Sequence, residues 1–467
     1  MMNSVFPLLA LPLLAAVLTA GLRRSTTLSA LIAAGLPLAG AVLALTNDLS
    51  QPFTLLGREL LLTTGDRFAL AYLFICAAAT FMGVWRTSPN WTYYPVALLS
   101  LTAVAVTLGG RPVEVAVVVG RPFDPFHYSV IFLTIAFMLA VFPLQGVQPG
   151  VARGTVRFMS LMVIGLPAFL AASWVLDQFT QSPDAVNLAQ TAGVLIMFGL
   201  AVWLGVVPFH AWLPGIASEA PPLSSAFVLG IINAAAWFLM LDMFHEIKVL
   251  ADNPALLGVL QIAGIITAVA GGVLALAQRD FGRLMGYAVL SDIGVALVAF
   301  GTGTAAGLSA ALVVVFVRTF GLGLMSMGMA VARQSAQRPD DSFESLTSLA
   351  WRSPWAAMVI IIGGFSLAGL PPFAGFAGRW AALQQVAYND LAISVALLIS
   401  TIGVATGTLR GLQYIFQQPH GESAPPDQVS PLTIMLLIGA LVLTLIMGLF
   451  PDLIAPAIRQ IVAAYTG

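Results

Sequence analysis

The chain has 467 residues, of which 59% are hydrophobic and only 8% are charged, and its mean hydropathy is +0.96. Soluble domains carry about 25% charged residues, so this composition excludes a water-soluble globular protein and predicts one surrounded by lipid. The formal net charge of −1 offers no attraction for nucleic acid, so no nucleic-acid partner is expected.

Residue types that build redox or nucleotide sites are scarce. The single cysteine, Cys76, excludes a disulfide framework and a cysteine-based metal site. The four histidines stand at positions 127, 210, 245 and 420, without the H-x-x-H or H-E-x-x-H spacing of metal sites. No P-loop or dinucleotide fingerprint is present. We therefore predict no cofactor, no metal and no redox chemistry carried by this chain itself.

Apolar stretches of about 18 residues or more predict transmembrane helices. Fourteen follow one another: 5–22, 28–46, 66–85, 92–109, 127–146, 156–176, 189–207, 222–244, 256–277, 284–301, 304–332, 354–385, 390–416 and 430–450. The first is followed by Arg23-Arg24 and not by a small-residue cleavage pattern, so we interpret it as a retained helix. The predicted fold class is an all-α polytopic membrane protein embedded in the lipid bilayer.

Basic residues outside the membrane favour the cytoplasmic side. One side of the predicted topology takes eleven of them: Arg23, Arg24, Arg86, Arg153, Arg157, Arg279, Arg283, Arg333, Arg338, Arg352 and Arg410. The other side takes six: Arg58, Arg67, Arg111, Arg121, Lys248 and Arg459. This bias predicts an inner (cytoplasmic) membrane protein with both termini outside.

Two arginines, Arg318 and Arg379, are left within apolar segments. An arginine at mid-bilayer costs about 2.5–3.5 kcal/mol on insertion scales, so both are expected to face the bundle interior.

Two helices carry interruptions. One runs from Val207-Pro208 to Pro221-Pro222, and the other, over 368–376, contains Pro371-Pro372. Proline removes a helical hydrogen bond and clashes with the preceding turn, so each site predicts a broken helix. The breaks lie 163 residues apart, between Pro208 and Pro371, in the seventh and twelfth predicted helices. Paired breaks favour a transporter built from two structural repeats, although ordinary proline kinks are the simpler alternative.

Three segments resemble one protein family. "VPFHAWLPGIASEAPPLSSAF", "LAQRDFGRLMGYAVLSDIGVALVAFGTG" and "FSLAGLPPFAGFAGRWAAL" follow one another in the order and spacing of its motifs. The family is that of the antiporter-like subunits of respiratory complex I, membrane-bound hydrogenases and multisubunit sodium/proton antiporters. The resemblance implies two inverted five-helix repeats, other membrane subunits as partners, and a part in moving protons or sodium ions.

The resemblance also suggests a division of the chain. Residues 1–90 would form N-terminal transmembrane helices, 91–250 the first repeat, 251–418 the second repeat, and 419–467 a C-terminal helix and tail.

The family's ion-carrying residues are largely missing. The resemblance implies a glutamate on helix five and lysines on helices seven, eight and twelve. Helix five has no glutamate, because Glu114 lies upstream, and the one lysine, Lys248, is in a loop. The helix-seven and helix-eight lysine positions hold Trp203 and Ala234.

Arginines replace two further family residues. Arg379 stands at the helix-twelve position, Arg318 aligns with a histidine of helix eleven, and Leu322 replaces a lysine one turn later. Arginine stays protonated in proteins and cannot relay a proton by losing its own. The usual lysine relay is therefore predicted to be broken.

Six residues remain as candidates for an ion path. Asp292 lies inside helix ten and could form a cluster with Arg318 and Arg379 in the second repeat. That cluster would be either a rewired path with Asp292 as its titratable group or a structural salt bridge.

The other three candidates lie near helix ends. His210 and Glu219 flank the first break and could serve proton uptake, or could only cap backbone groups. Asp242, near His245 and Glu246, marks either an exit path or a solvated helix end.

The sequence leaves three functions open. The chain could be a non-redox subunit of a translocase related to NADH:quinone oxidoreductase or hydrogenase, conducting ions by an altered route. It could be a subunit of such an assembly that has kept the fold as a scaffold and lost the pump. It could also be the membrane partner in an inorganic-carbon uptake system. Neighbouring genes would discriminate among these, because fold alone does not determine function.

Overall fold

A computed structural model describes residues 5–47, 53–55, 58–87, 90–109, 111–112, 126–145, 153–181, 186–247, 250, 253–335, 340–387, 390–419 and 429–466. Five residues named above lie outside this described part: Glu114, Arg121, Lys248, Arg338 and His420.

Helices make up nearly all of the described chain. They are α1 (Val5–Gly21), α2 (Thr26–Thr46), α3 (Thr64–Trp85), α4 (Tyr93–Leu108), α5 (Phe126–Gln145), α6 (Arg153–Gln181), α7 (Val186–Leu204), α8 (Trp212–Glu219), α9 (Pro222–Ala226), α10 (Asn233–Glu246), α11 (Pro254–Ala277), α12 (Phe281–Phe300), α13 (Ala305–Ser335), α14 (Leu349–Arg352), α15 (Pro354–Ala368), α16 (Gly375–Ala387), α17 (Leu391–Ile415), α18 (Pro431–Leu449) and α19 (Ala455–Thr466). A π-helical segment, Phe227–Ile232, joins α9 to α10.

The helices are long and apolar, as the composition predicts. Among the described residues, eleven helices are long and apolar enough to cross a membrane, and three shorter apolar helices accompany them. Each of the fourteen predicted intervals overlaps one of these helices. A helix satisfies its own backbone hydrogen bonds, which lipid cannot do, so this architecture suits a bilayer. The prediction of an all-α polytopic membrane protein is confirmed.

A small sheet is the exception that the sequence analysis did not predict. Strands β1 (Phe53–Leu55), β2 (Arg58–Leu61) and β3 (Arg111–Pro112) pair in the order β1-β2-β3. Both pairings are antiparallel. Strands of two to four residues are too short to show an alternating hydrophobic pattern, which explains why the sequence did not reveal them.

The first broken helix begins slightly before the predicted prolines. Helix α7 ends at Leu204, and Gly205 follows with φ +78°, a conformation that favours glycine. A 3₁₀ turn, Phe209–Ala211, leads into α8, which ends at Glu219 before Ala220 becomes extended. The predicted break over 207–222 is confirmed, and its first irregular residue is Gly205.

The second broken helix follows the same design. Helix α15 ends at Ala368, and Gly369 terminates it with φ +74°. The N–H of Leu370 bonds back to the carbonyl of Phe365 at 3.1 Å, which closes the end of α15. Helix α16 restarts at Gly375, so the predicted break over 368–376 is confirmed.

Small residues place α12 at the centre of the second half of the chain. An added Cβ on Gly294 would lie 2.2 Å from the backbone nitrogen of Ala268 on α11. One on Gly286 would lie 2.5 Å from the Cα atom of Pro214 on α8. Glycine therefore allows these helices to approach backbone to backbone. This packing buries α12, which carries Asp292.

Candidate functional site

A buried ion pair lies between α12 and α16. The Nη2 atom of Arg379 is 2.8 Å from the Oδ1 atom of Asp292, and both side chains are 6% exposed. Arg379 also donates to the hydroxyls of Ser291 at 2.8 Å, Thr401 at 3.2 Å and Ser400 at 3.5 Å. Ser291 and Ser400 are in turn hydrogen-bonded to each other. The charged guanidinium is thus surrounded by one carboxylate and three hydroxyls.

The second break makes room for Arg379. A Cβ added to Gly369 would lie 2.2 Å from the Cδ atom of Arg379, so only glycine admits the arginine side chain there. A Cβ on Gly378 would lie 2.8 Å from the Cα atom of Val314, which brings α16 close against α13. The irregular backbone at the second break therefore leaves space for the buried guanidinium of Arg379.

Arg318 has a different partner from the one predicted. It lies on α13, is only 2% exposed, and donates from Nη2 to the Oδ1 atom of Asn233 at 2.9 Å. It does not come within ion-pair distance of Asp292, whose ion pair is with Arg379. The Nε and Nη1 atoms of Arg318 are buried without hydrogen-bond partners among the described residues. Of the three predicted residues, the structure brings Asp292 and Arg379 together and leaves Arg318 beside them.

Asn233 connects Arg318 to the first break. Its amide Nδ2 donates to the carbonyl of Leu204 at 3.4 Å, and Leu204 is the last residue of α7. The C-terminus of a helix carries a partial negative charge, which favours a nearby cation. Asn233 was not predicted, because it is adjacent to the family lysine position, now Ala234, and only its contacts reveal its role.

The helix-seven lysine position is filled with aromatic packing. Trp203 is fully buried, and its indole Nε1 donates to the carbonyl of Met162 at 3.0 Å. Its ring packs against Phe169 and Phe137, with centroids 4.5 and 5.3 Å apart. A Cβ on Gly165 would lie 2.3 Å from the Trp203 Nε1 atom, so glycine is needed beside the indole.

The residues that flank the first break lie in different surroundings. Glu219 is exposed at the end of α8 and accepts a hydrogen bond from the backbone N–H of Gly154 at 2.7 Å. It therefore caps the first turn of α6, where a carboxylate is stabilising. His210 lies in the 3₁₀ turn, and its ring is 6.4 Å from that of Tyr287. The Nδ1 atom of His210 is buried without a partner in the described part of the chain.

Asp242 is covered by the C-terminal helix. It is 6% exposed on α10, and the hydroxyl of Tyr465 on α19 donates to its Oδ1 atom at 2.7 Å. His245 Nδ1 is 3.1 Å from the carbonyl oxygen of the same tyrosine. Asp242 is therefore in a packed contact with a residue 223 positions away in the sequence, whereas His245 remains exposed at the end of α10.

A cluster on the predicted cytoplasmic side links the first break to α12. Arg333, at the end of α13, binds the carboxylate of Asp341 through Nε and Nη2 at 2.7 and 2.6 Å. It also donates to the carbonyls of Ser218 and Ala220, both at 3.1 Å. The end of the first break is therefore held by a residue of the second half of the chain.

Asp341 and Asp280 extend this cluster to the start of α12. The N–H of Phe281 donates to the carbonyl of Asp341 at 2.9 Å. Asp280 caps α12 by accepting from the N–H of Arg283 at 2.7 Å. Burial raises the pKa of Asp280 to about 6, and the neighbouring charge of Asp341 acts in the same direction.

Comparison with known proteins agrees with the motifs. The family described as NADH:quinone oxidoreductase/Mrp antiporter, transmembrane, matches residues 154–405, which is more than half of the chain. NADH-quinone oxidoreductase subunit N of Deinococcus radiodurans is 32% identical over 279 residues, 58% of this chain and 55% of that protein. Subunit N of Thioalkalivibrio sulfidiphilus is 27% identical over 312 residues, 65% of this chain and 63% of that protein. The match thus spans less than two thirds of the length of both relatives.

Solved structures share the fold over nearly the whole chain. A chain of the membrane-bound sulfane sulfur reductase, an archaeal respiratory membrane complex, has a TM-score of 0.84 at 18% identity, covering 98% of this chain and 96% of that one. A chain of the Mrp complex from Dietzia sp. DQ12-45-1b also has a TM-score of 0.84, at 16% identity, covering 100% and 98%. One of respiratory complex I from Thermus thermophilus has a TM-score of 0.75 at 19% identity, covering 98% and 99%. Together with the family match, this identifies the protein as a polytopic membrane member of the NADH:quinone oxidoreductase/Mrp antiporter family, as its motifs predict.

Proposed function

We propose that this chain is a non-redox membrane subunit of an ion-translocating assembly related to NADH:quinone oxidoreductase, in the plasma membrane with both termini outside. Its partners would be other polytopic membrane subunits. We propose further that it carries no ions and serves as a scaffold. The observation that supports this most is Trp203, which fills the helix-seven lysine position with a buried indole.

Aromatic packing at this position disfavours ion passage. Trp203 hydrogen-bonds to a backbone carbonyl and packs against Phe137 and Phe169, so its surroundings are apolar. Water occupies buried sites only where it finds about two to four polar partners. Ala234, at the helix-eight lysine position, is also fully buried and offers no polar atom in its side chain.

Conduction by an altered route through the second repeat is the second candidate. It is favoured by Asp292, the buried acid beside Arg379 and three hydroxyls. Arginine does not relay protons by losing its own, so Asp292 would be the titratable member of any such route. The direct 2.8 Å contact with Arg379 favours a structural pair over a proton carrier, because the carboxylate is held by a fixed cation.

Proton uptake by the native assembly in vesicles would separate the two candidates. Co-purification with a tagged chain first tests whether membrane subunits accompany it; a chain that purifies alone contradicts the proposal. Redox-driven proton uptake per electron is then compared between the wild type and Asp292→Asn. The scaffold role predicts an unchanged ratio in assemblies of equal subunit content, whereas an altered route predicts a lower one. Trp203→Phe, which keeps an apolar ring, is the control expected to leave the ratio unchanged.

A further inference from the structure

Two arginines lie one turn apart on the exposed face of α6. Arg153 and Arg157 are both exposed, and with Val156, Ser160 and Leu161 they line a surface hollow of about 600 Å³. Residues four apart lie on the same face of a helix, so both side chains extend from one face of α6. Neither has a hydrogen-bond or ion-pair partner among the described residues.

The hollow continues into an apolar track along the same helix. Below the arginines, Val163, Ile164, Leu170 and Trp174 are all exposed, and Trp174 is 64% exposed. Trp174 lies 17 positions after Arg157, so the two residues are about 25 Å apart along the helix at 1.5 Å per residue. That length is close to the hydrocarbon thickness of about 30 Å. Arginine and tryptophan are residues that anchor helices at the two membrane interfaces.

The chain's own acid is already engaged at this helix end. Glu219 accepts from the N–H of Gly154, so its carboxylate caps the backbone of α6. The two guanidiniums retain ten N–H donors in planar forks that match phosphate oxygens. A ligand that fits this surface has a phosphate that contacts Arg153 and Arg157. It also has acyl chains that pack against the exposed apolar residues further along α6.

We propose that the α6 face from Arg153 to Trp174 binds an anionic phospholipid. Its phosphate would contact Arg153 and Arg157, and the hydroxyl of Ser160 could donate to the same headgroup. Its acyl chains would lie along Val163, Ile164 and Leu170. This site is independent of the ion path and of the proposed function.

The test measures lipid retained by the purified protein. The protein is exchanged into nanodiscs of phosphatidylcholine with a minor fraction of phosphatidylglycerol, released, and analysed by native mass spectrometry. Each arginine near an anionic surface contributes about 1 kcal/mol. Arg153→Gln with Arg157→Gln is therefore expected to lower phosphatidylglycerol affinity about thirtyfold, with an unchanged thermal midpoint.

A matched control comes from the same predicted side of the membrane. Arg279 and Arg283 are also exposed and four residues apart, but α12 is mostly buried and offers no apolar track. Arg279→Gln with Arg283→Gln should leave phosphatidylglycerol retention unchanged. An equal loss in both double variants would overturn the proposal, because it would reveal only a general effect of charge.

Two further experiments test whether free phosphate or a protein subunit binds this surface instead of a lipid. Inorganic phosphate at millimolar concentration should not displace the lipid; displacement would mean that the acyl track contributes nothing. In the native assembly, a photo-crosslinking residue at Ser160 should label lipid. A covalent adduct with another subunit at that position would assign this face to a protein partner and contradict a lipid site.

Discussion

Two regions next to the broken helices are filled in opposite ways. Beside the first break, Trp203 packs among phenylalanines and bonds to the carbonyl of Met162. Near the second break, Arg379 is bound to Asp292 and three hydroxyls. Irregular backbone at membrane depth must be covered by protein or water. The difference shows that the same fold accommodates either apolar or charged side chains next to a helix break. Of the two regions, the one near the second break holds a carboxylate paired with a buried cation.

The largest effect is expected from removing the cation near the second break. Arg379→Met leaves the Asp292 carboxylate buried without its ion partner, so the free energy of unfolding should fall by about 3–5 kcal/mol. Tryptophan fluorescence during thermal unfolding in detergent would measure the loss. If Arg379→Met unfolds at the same temperature as the wild type, the ion pair with Asp292 does not stabilise the folded protein.

A double variant distinguishes the contribution of the Asp292–Arg379 ion pair to stability from that of the surrounding hydroxyls. Asp292→Leu combined with Arg379→Met removes both charges, and replacing a buried pair with apolar groups is often neutral. Most of the lost stability should therefore return. A double variant as unstable as Arg379→Met alone would mean that Arg379 acts through the hydroxyls of Ser291 and Thr401 and not through Asp292.

A slightly smaller loss is expected from emptying the aromatic region. Trp203→Ala removes a fully buried indole, and such truncations cost about 3–5 kcal/mol. Neighbouring rings can partly collapse into the space, so the lower end of that range is expected.

The matched test is Gly165→Ala. Its Cβ would lie 2.3 Å from the indole nitrogen, so it should destabilise the wild type but be tolerated in the Trp203→Ala background. Equal costs in both backgrounds would show that Trp203 does not fill this space.

The sequence predicted the elements better than the contacts. The prolines at 208 and 371 revealed both breaks because each lies among further prolines and glycines. A single proline does not end a helix in this protein, since Pro12, Pro37, Pro143 and Pro167 all lie inside helices. The identity of Trp203 also predicted an unusual first region. The partner of Arg318 could not be predicted, because Asn233 is 85 residues away and its side chain also suits a helix cap. For the same reason, the sequence could not predict the hydrogen bond from Tyr465 to Asp242. It also could not predict the contacts of Arg333 with Ser218 and Ala220. The repeat boundaries and the fourteen-helix count stay predictions.

A moderate effect is expected where the two regions approach each other. Asn233 bonds to Arg318 and to the end of α7, so Asn233→Ala removes the one hydrogen bond that Arg318 makes among the described residues. Leaving a buried charged donor unsatisfied should cost about 1–3 kcal/mol. Thermal unfolding measures the loss, and Asn233→Asp is the control, since it keeps an acceptor for Arg318. If the alanine variant is as stable as the wild type, Arg318 is satisfied by water.

The smallest effect is expected at Asp280, in the cluster of Arg333, Asp341 and Asp280 that joins the first break to α12. Asp280 caps α12 and faces Asp341, Arg283 and Arg333, and burial raises its pKa from 3.8 to about 6. The folded protein therefore holds the Asp280 proton more tightly than the unfolded chain does. Stability from this group is present at low pH and falls as pH rises from about 4 to about 6.

The thermal midpoint of Asp280→Asn, compared with the wild type from pH 4 to pH 8, isolates this contribution. Asparagine caps helices about as well as aspartate and does not titrate. The wild type should lose stability relative to the variant between pH 4 and pH 6, with a constant difference above pH 6. Parallel curves would mean that Asp280 is hydrated in the folded protein and that the link between the first break and α12 is carried by Arg333 and Asp341 alone.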